Sequence, residues 1–331
     1  MSINNRLINT GSSVDANFNA LAYTGNGGTN AITGLGFQPD VVWIKKTSAT
    51  SYHRLQNVIR GASLTVPPNE TETESTKANG LLSFDSDGFT VGSDADYNQS
   101  GVQYIGFCWK AGGDPVAAGG TSVTNRLISA NPDAGFSMMT YTGSSSAGTI
   151  EHGLNQTPEF WMFKNLSVAQ QWLNLTTVID GTVDFSHLNS IQNFFSGFEN
   201  VNATPTVINL PTGSTFYNNN GQDFLAMAFH SVEGYSKIVE YNGTPDYYVY
   251  VDVGFQASWA IVKSTTNYDD WWILSNKLGN NGLLKANDVD AKIASGTIVY
   301  SFLPDGTIRL GANANNGSRK YLLIAFKDEF I

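Results

Sequence analysis

The sequence is poor in charge, nearly devoid of cysteine and without a long apolar run, and each shortage removes a class of protein. Charged side chains make up only 14% of the 331 residues, against roughly 25% in ordinary soluble domains. The polar surface must therefore be built largely from Ser, Thr, Asn and Gly, a balance that suits a rigid all-β protein better than a cytosolic enzyme. What charge there is leans acidic, net −10, which argues against binding nucleic-acid phosphates or an anionic membrane surface. The single cysteine, Cys108, forbids an intrachain disulfide framework. Lying in an apolar run, it reads as a buried, inert thiol. No apolar stretch approaches the roughly 20 residues that span a bilayer. The opening residues Met1–Arg6 have no apolar signal core, so neither membrane insertion nor Sec secretion is expected.

What the chain does have is one pattern three times over. The first copy runs from Tyr23-Thr24-Gly25 to Gly36-Phe37-Gln38-Pro39-Asp40-Val41-Val42-Trp43-Ile44-Lys45. The second runs from Tyr141-Thr142-Gly143 to Phe160-Trp161-Met162-Phe163-Lys164, and the third from Tyr241-Asn242-Gly243 to Trp259-Ala260-Ile261-Val262-Lys263. Opening Tyr and closing Lys are 22, 23 and 22 residues apart, and eight residues beyond each Lys stand His53, Trp172 and Trp271. Each copy also ends alike, an Asn-rich or Asn-Gly turn leading into an apolar run: Tyr104–Lys110, Phe224–His230 and Tyr321–Lys327. Turn chemistry followed by such a run marks a hairpin feeding a buried strand. The repeats are too long for a solenoid, so three small units with their own cores are expected.

The predicted organisation follows from this register. Residues 1–14 precede the repeats and read as a polar arm or anchor. Residues 15–111 form the first unit, and the Gly- and Ala-rich stretch 112–124 reads as a linker that leaves this unit some freedom. Residues 125–231 form the second unit. Residues 232–331 form the third, joined to the second by only a turn. Gly, Asn and Thr interrupt every helical stripe, and in Tyr104–Lys110 both strand faces are apolar, as in the middle of a sandwich. The fold class is therefore all-β, with three tandem β-sandwich units of jelly-roll-like form. The acidic stretch Pro67–Thr76 reads as a solvated loop.

Reactive constellations are scarce. His53, His152, His187 and His230 fall at unrelated spacings, and His53, aligned with Trp172 and Trp271, reads as a core or rim residue. Asp85-Ser86-Asp87-Gly88, with Asp94 and Asp96 nearby, resembles the start of a calcium loop but lacks its later ligands. Leu303-Pro304-Asp305-Gly306 matches it as a simple turn. Neither a metal site nor a cofactor is predicted. Two carboxylates beside a sugar platform could be imagined at Asp269-Asp270-Trp271-Trp272. Trp271 takes the place of Trp172 and reads as core. Trp272 takes the place of Arg54 and Leu173, so an exposed Trp272 flanked by Asp269 and Asp270 is the candidate glycan or partner contact. No catalytic residue is assigned.

The phrases Ile32–Lys45, Ser86–Gly92, Phe107–Gly113 and Gly234–Lys237 resemble an uncharacterised family of triple-repeat proteins encoded by marine and environmental tailed bacteriophages. The resemblance runs over nearly all of the chain after residue 15. The second copy departs from it at Glu151–Pro158 and the third at Ala257-Ser258. It implies a non-enzymatic virion protein exposed on the particle, as a capsid decoration, head fibre or tail fibre, with reinforcement or host attachment as its role. The competing expectations are a carbohydrate-binding receptor module at a fibre tip and, behind it, a polysaccharide depolymerase. Attachment to other virion proteins through residues 1–14 and assembly into a homotrimer are expected, the latter for avidity and closed symmetry. The chain is not expected to bind nucleic acid.

Overall fold

β-branched and aromatic runs of two to eight residues, separated by Gly, Asn and Pro turns, leave nothing long enough for a helix, and the chain is all-β. The computed structural model describes residues 17–279, 282–293 and 299–328; strands account for 45% of it and helix for 3%. The predicted arm, residues 1–14, lies outside the described residues.

From the start, the strands are β1 (Phe18–Thr24), β2 (Asn30–Thr33), β3 (Val41–Lys46), β4 (Arg54–Asn57), β5 (Gly61–Val66), β6 (Ser75–Thr76), β7 (Leu81–Asp85), β8 (Gly88–Val91) and β9 (Gln103–Trp109). A single helical turn, Ala95–Asn98, precedes β9. Next come β10 (Val116–Ala117), β11 (Gly120–Thr121), β12 (Thr124–Asn131), β13 (Phe136–Thr142), β14 (Gly148–Glu151), β15 (Phe160–Asn165), β16 (Leu173–Thr176), β17 (Asp184–His187), β18 (Phe195–Ser196), β19 (Val207–Leu210) and β20 (Asp223–Phe229). The last set is β21 (Ser236–Asn242), β22 (Tyr248–Asp252), β23 (Trp259–Ser264), β24 (Trp272–Ser275), β25 (Leu283–Lys285), β26 (Tyr300–Phe302), β27 (Thr307–Gly311) and β28 (Lys320–Phe326).

Strand pairing is antiparallel and repeats one plan. The large sheets run β1-β9-β3-β4-β5-β6, β10-β12-β13-β20-β15-β16-β17-β18 and β21-β28-β23-β24-β25. Each faces a three-stranded sheet: β2-β8-β7, β11-β14-β19 and β22-β27-β26 respectively. The closing strand of each repeat is inserted between the first strand and the Lys-bearing strand, so Tyr23 pairs with Tyr104, Tyr141 with Phe224 and Tyr241 with Tyr321.

Each sandwich encloses its own apolar cluster, around Phe89, Leu175 and Leu274. The other face of every large sheet is equally apolar, and there the three meet. Phe18, Trp43 and Trp109 join Phe160, Trp172 and Met227, and Trp259, Trp271 and Phe326, in one common core. Phe18 stacks on Phe326 at 5.3 Å, Trp109 meets Trp259 edge-on at 5.7 Å, and Phe229 meets Phe326 at 6.2 Å. A cavity of about 60 Å³ among these rings has an entirely apolar lining drawn from all three repeats. A void of that character stays dry.

This shared core alters three sequence expectations. Each repeat has an apolar cluster of its own, and the second face of each large sheet is covered by the neighbouring repeats, the first repeat included. The stretch 112–124 is no loose linker, because β10 pairs with β12 and β11 with β14. The amides of Ala111 and Gly113 are held by Asp40 Oδ2 at 2.7 and 3.0 Å. The loop 67–76 is not simply solvated; Pro67, Pro68 and Asn69 are buried, and the chain beyond them crosses to the second repeat.

Candidate functional site at the seams between repeats

The three lysines that close the repeat pattern stand at equivalent ends of β3, β15 and β23, and all three are fully buried. Each ammonium is held by two main-chain carbonyls, one from its own repeat and one from the repeat next to it. Lys45 Nζ donates to the carbonyls of Ser51 at 3.0 Å and Val289 at 2.9 Å. Lys164 Nζ donates to those of Gln170 at 2.6 Å and Thr71 at 2.9 Å. Lys263 Nζ donates to those of Asp269 and, at 2.8 Å, Ile191. Repeat one thus reaches to three, two to one and three to two. The contacts close a ring with pseudo-threefold symmetry.

The loops that supply these outer carbonyls behave as arms. Asn69, Asn189 and Asn287 start them, each accepting through Oδ1 the backbone N–H of the residue eight beyond the lysine: His53 at 2.8 Å, Trp172 at 3.0 Å and Trp271 at 2.7 Å. Those three rings then span the seam. Trp172 Nε1 donates to the Pro67 carbonyl and Trp271 Nε1 to that of His187, both at 3.0 Å. His53 takes the same role with the Asp288 carbonyl at 3.1 Å. Backbone bonds repeat in the same sense: Ser51 to Val289, Gln170 to Thr71 and Asp269 to Ile191, each at 2.9 Å.

Electrostatics at the seams follow from burial. Desolvation lowers Lys45, Lys164 and Lys263 to about 8, with acidic neighbours such as Asp290, Glu72 and Asp269 pulling the other way. Among the described residues none of the three is within ion-pair distance of a carboxylate. Burial, and then the charge of Lys45, hold His53 well below its ordinary value. Its tautomer is fixed: Trp43 Nε1 donates to Nδ1 at 2.8 Å, so the proton sits on Nε2, facing the Asp288 carbonyl. The sequence marked these lysines as register points but gave them no role. Recurrence of one cation at the end of three apolar strands was the signal.

The residues singled out for chemistry are placed as follows. Trp271 is core, as its alignment with Trp172 implied. Trp272 is not an exposed platform. It is 5% exposed, packed inside the third sandwich, because β24 is covered on one face by the common core and on the other by its own small sheet. Its Nε1 donates to Asp269 Oδ1 at 3.2 Å. Asp269 is also paired with Arg319 at 3.1 Å, and Asp270 with Lys285 at 3.4 Å, so the structure turns both carboxylates inward on their own fold. Asp87 accepts the amides of Gly34 and Gly36 at 3.0 and 2.7 Å, which hold it low, and Asp85 accepts the hydroxyls of Ser83 and Thr90. That stretch is a turn lock. Asp94 caps the helical turn through the amide of Asp96, and Asp96 pairs with Arg54 at 2.7 Å. Cys108 is buried and its thiol is pushed up by desolvation. His152, His187 and His230 are buried in separate places, bonded to the Thr204 carbonyl, Gln192 Oε1 and the Ser231 carbonyl. Among the described residues no three His, Cys, Asp or Glu side chains gather as a metal-ligand set, and no helix is long and apolar enough to cross a membrane.

Stacked antiparallel sheets joined in a ring through main-chain acceptors define an all-β protein whose conspicuous polar groups are spent on holding the frame. The chain belongs to a family described as a domain of unknown function (DUF7483), which matches residues 14–329 and so spans all three repeats. No curated protein matches the chain.

Proposed function

We propose that the chain is a non-enzymatic structural protein of a bacteriophage particle, exposed on its surface as a capsid decoration, head fibre or tail fibre. The observation that carries the reading is the closed pseudo-threefold ring. Three sandwiches share one apolar core and lock each other through buried lysines, which makes a stiff body whose outer faces are left to vary. The sequence resemblance to phage triple-repeat proteins supports the same reading. Residues 1–14 are proposed to attach the body to other virion proteins. A homotrimer is proposed as the assembled form, so that three pseudo-trimers would surround one axis.

The test is direct. Purified particles are analysed for the chain by mass spectrometry and labelled with antibody for electron microscopy. Label at many lattice positions supports decoration, and label confined to the tail supports a fibre. Absence of the chain from purified particles overturns the proposal, and release of reducing sugar from host polysaccharide overturns its non-enzymatic part. A solution mass of three chains supports the homotrimer, whereas a single-chain mass of 35.8 kDa at high concentration removes it. A carbohydrate-binding role is the second reading, favoured by a surface on the third repeat.

A further inference from the structure

One of the three equivalent outer faces carries side chains that the fold does not ask for. On β22, Tyr248 and Tyr250 alternate with Val249 and Val251, which are buried in the sandwich. Arg309 of β27 lies opposite Tyr250, and Ser301 of β26 lies opposite Arg309, so the three form a row across the small sheet. The same register in the first repeat pairs Ala31 with Thr90, and in the second Thr149 with Asn209. Twice the frame is completed with small polar or apolar residues. In the third repeat the row becomes Tyr, Arg and Ser.

The row is assembled with care. The Arg309 guanidinium lies 4.6 Å from the centre of the Tyr248 ring, and its Nη2 donates to Ser301 Oγ at 2.8 Å. Gly311, opposite Tyr248, makes room for that ring: a Cβ there would meet two of its carbons at 2.9 and 3.1 Å. Tyr247 meets Tyr248 edge-on, with ring centres 4.6 Å apart. Tyr247 and Tyr250 are 69% and 59% exposed, a large aromatic area left in water.

Two features select the ligand. Exposed Tyr rings offer flat, weakly polar faces with a hydroxyl at the rim, which suits the C–H face of a pyranose. Arg309 adds a fixed cation with fork geometry for a carboxylate or sulfate. Among the described residues it has no carboxylate within ion-pair distance, although the chain carries a net −10. The nearest acids along the same strands are occupied by their own turns, Asp252 with the Gly254 amide at 2.9 Å and Asp305 with the Thr307 amide at 3.0 Å. A protein partner would need roughly 800 Å² with an apolar centre. This row of three strands has aromatic and polar groups but no aliphatic centre.

We propose that Tyr250, Arg309 and Ser301, braced by Tyr248, form a binding site for an acidic saccharide, with a sugar ring on Tyr250 and its carboxylate or sulfate on Arg309. The proposal gives the host-attachment side of the function above a site and a ligand class. It is tested on the isolated chain, so its failure would leave the particle reading untouched, and absence from particles would leave this site untouched.

The experiment presents the purified full chain to immobilised oligosaccharides bearing uronic acid, sialic acid or sulfate, beside neutral glucan and galactan oligomers. Binding to at least one acidic class above the neutral ones is expected. It should weaken by roughly tenfold or more in Arg309→Gln and in Tyr250→Thr, which copies the second repeat, and survive in Tyr250→Phe. Thermal midpoints within about 2 °C of the parent would show that the variants keep the fold. Binding to no acidic oligosaccharide, equal binding to neutral ones, or binding unchanged by both variants overturns the proposal. So does a host protein, rather than a saccharide, being the ligand that the two variants lose.

Discussion

Asn174 sits on β16 where the other repeats have Leu55 and Ile273, facing the common core, and it is fully buried. Neither its Nδ2 nor its Oδ1 has a hydrogen-bond partner among the described residues. An unsatisfied buried amide costs about 1–3 kcal/mol, so Asn174→Leu should stabilise the protein by about 1–2 kcal/mol. The measurement is urea unfolding, with a higher midpoint and an unchanged slope; a lower midpoint would show that the amide is satisfied after all. The seam lysines make a second prediction. Their folded values near 8 lie below the ordinary 10.5. Between those pH values the unfolded chain holds protons that the folded chain has shed, so raising the pH favours the fold. Across the whole interval the gain is on the order of 3 kcal/mol per lysine. At about pH 10 the sign turns, because burial raises Cys108, Tyr23, Tyr141 and Tyr241 above their ordinary values and only the unfolded chain ionises there. Thermal midpoints across pH 7–11 should therefore peak near about pH 10, and a steady decline from pH 7 would contradict the buried-lysine account.

Arms and strands act as a set of three, which is where the sequence was both most and least informative. Removing the amide oxygen at the root of an arm leaves the buried N–H of His53, Trp172 or Trp271 without an acceptor. Asn69→Ala, Asn189→Ala and Asn287→Ala should each cost about 1–3 kcal/mol, by similar amounts, as read from denaturant midpoints. A loss at one seam with none at the others would argue against their equivalence. The strands, their turns and the register of the repeat were legible because period-two burial and Asn-Gly turns are local signals. Cys108 and Trp271 were legible for the same reason. The seams were not, since a pattern of apolar residues says that a face is covered without saying by what. Tyr104–Lys110, apolar on both sides, looked like the centre of one sandwich when its second face in fact meets two other repeats. Trp272 was misread through that gap: its exposure depended on whether both faces of β24 were covered. Pro67–Thr76 was misjudged because its polar composition hid contacts made by its main chain.

At the scale of the molecule, the common core binds the repeats into one cooperative body. A fragment holding residues 15–111 alone would expose Phe18, Trp43, Trp109 and their neighbours to water. At about 25 cal/mol per Å² of apolar surface, a face of large rings left bare is a heavy loss for so small a domain. The fragment is expected to bind a hydrophobic dye and to lack a sharp melting transition, while the full chain melts in a single transition and resists cleavage within 112–124. Three separate calorimetric transitions, or a well-folded fragment, would sink this expectation. The ring has a further consequence for how such a protein can change over generations. The carbonyls that receive the seam lysines belong to Ser51, Val289, Thr71, Gln170, Ile191 and Asp269, six positions occupied by six different residue types. A lock written in backbone atoms makes few demands on the side chains that carry it, so substitutions along the arms that keep the main-chain path would leave the same six oxygens in place.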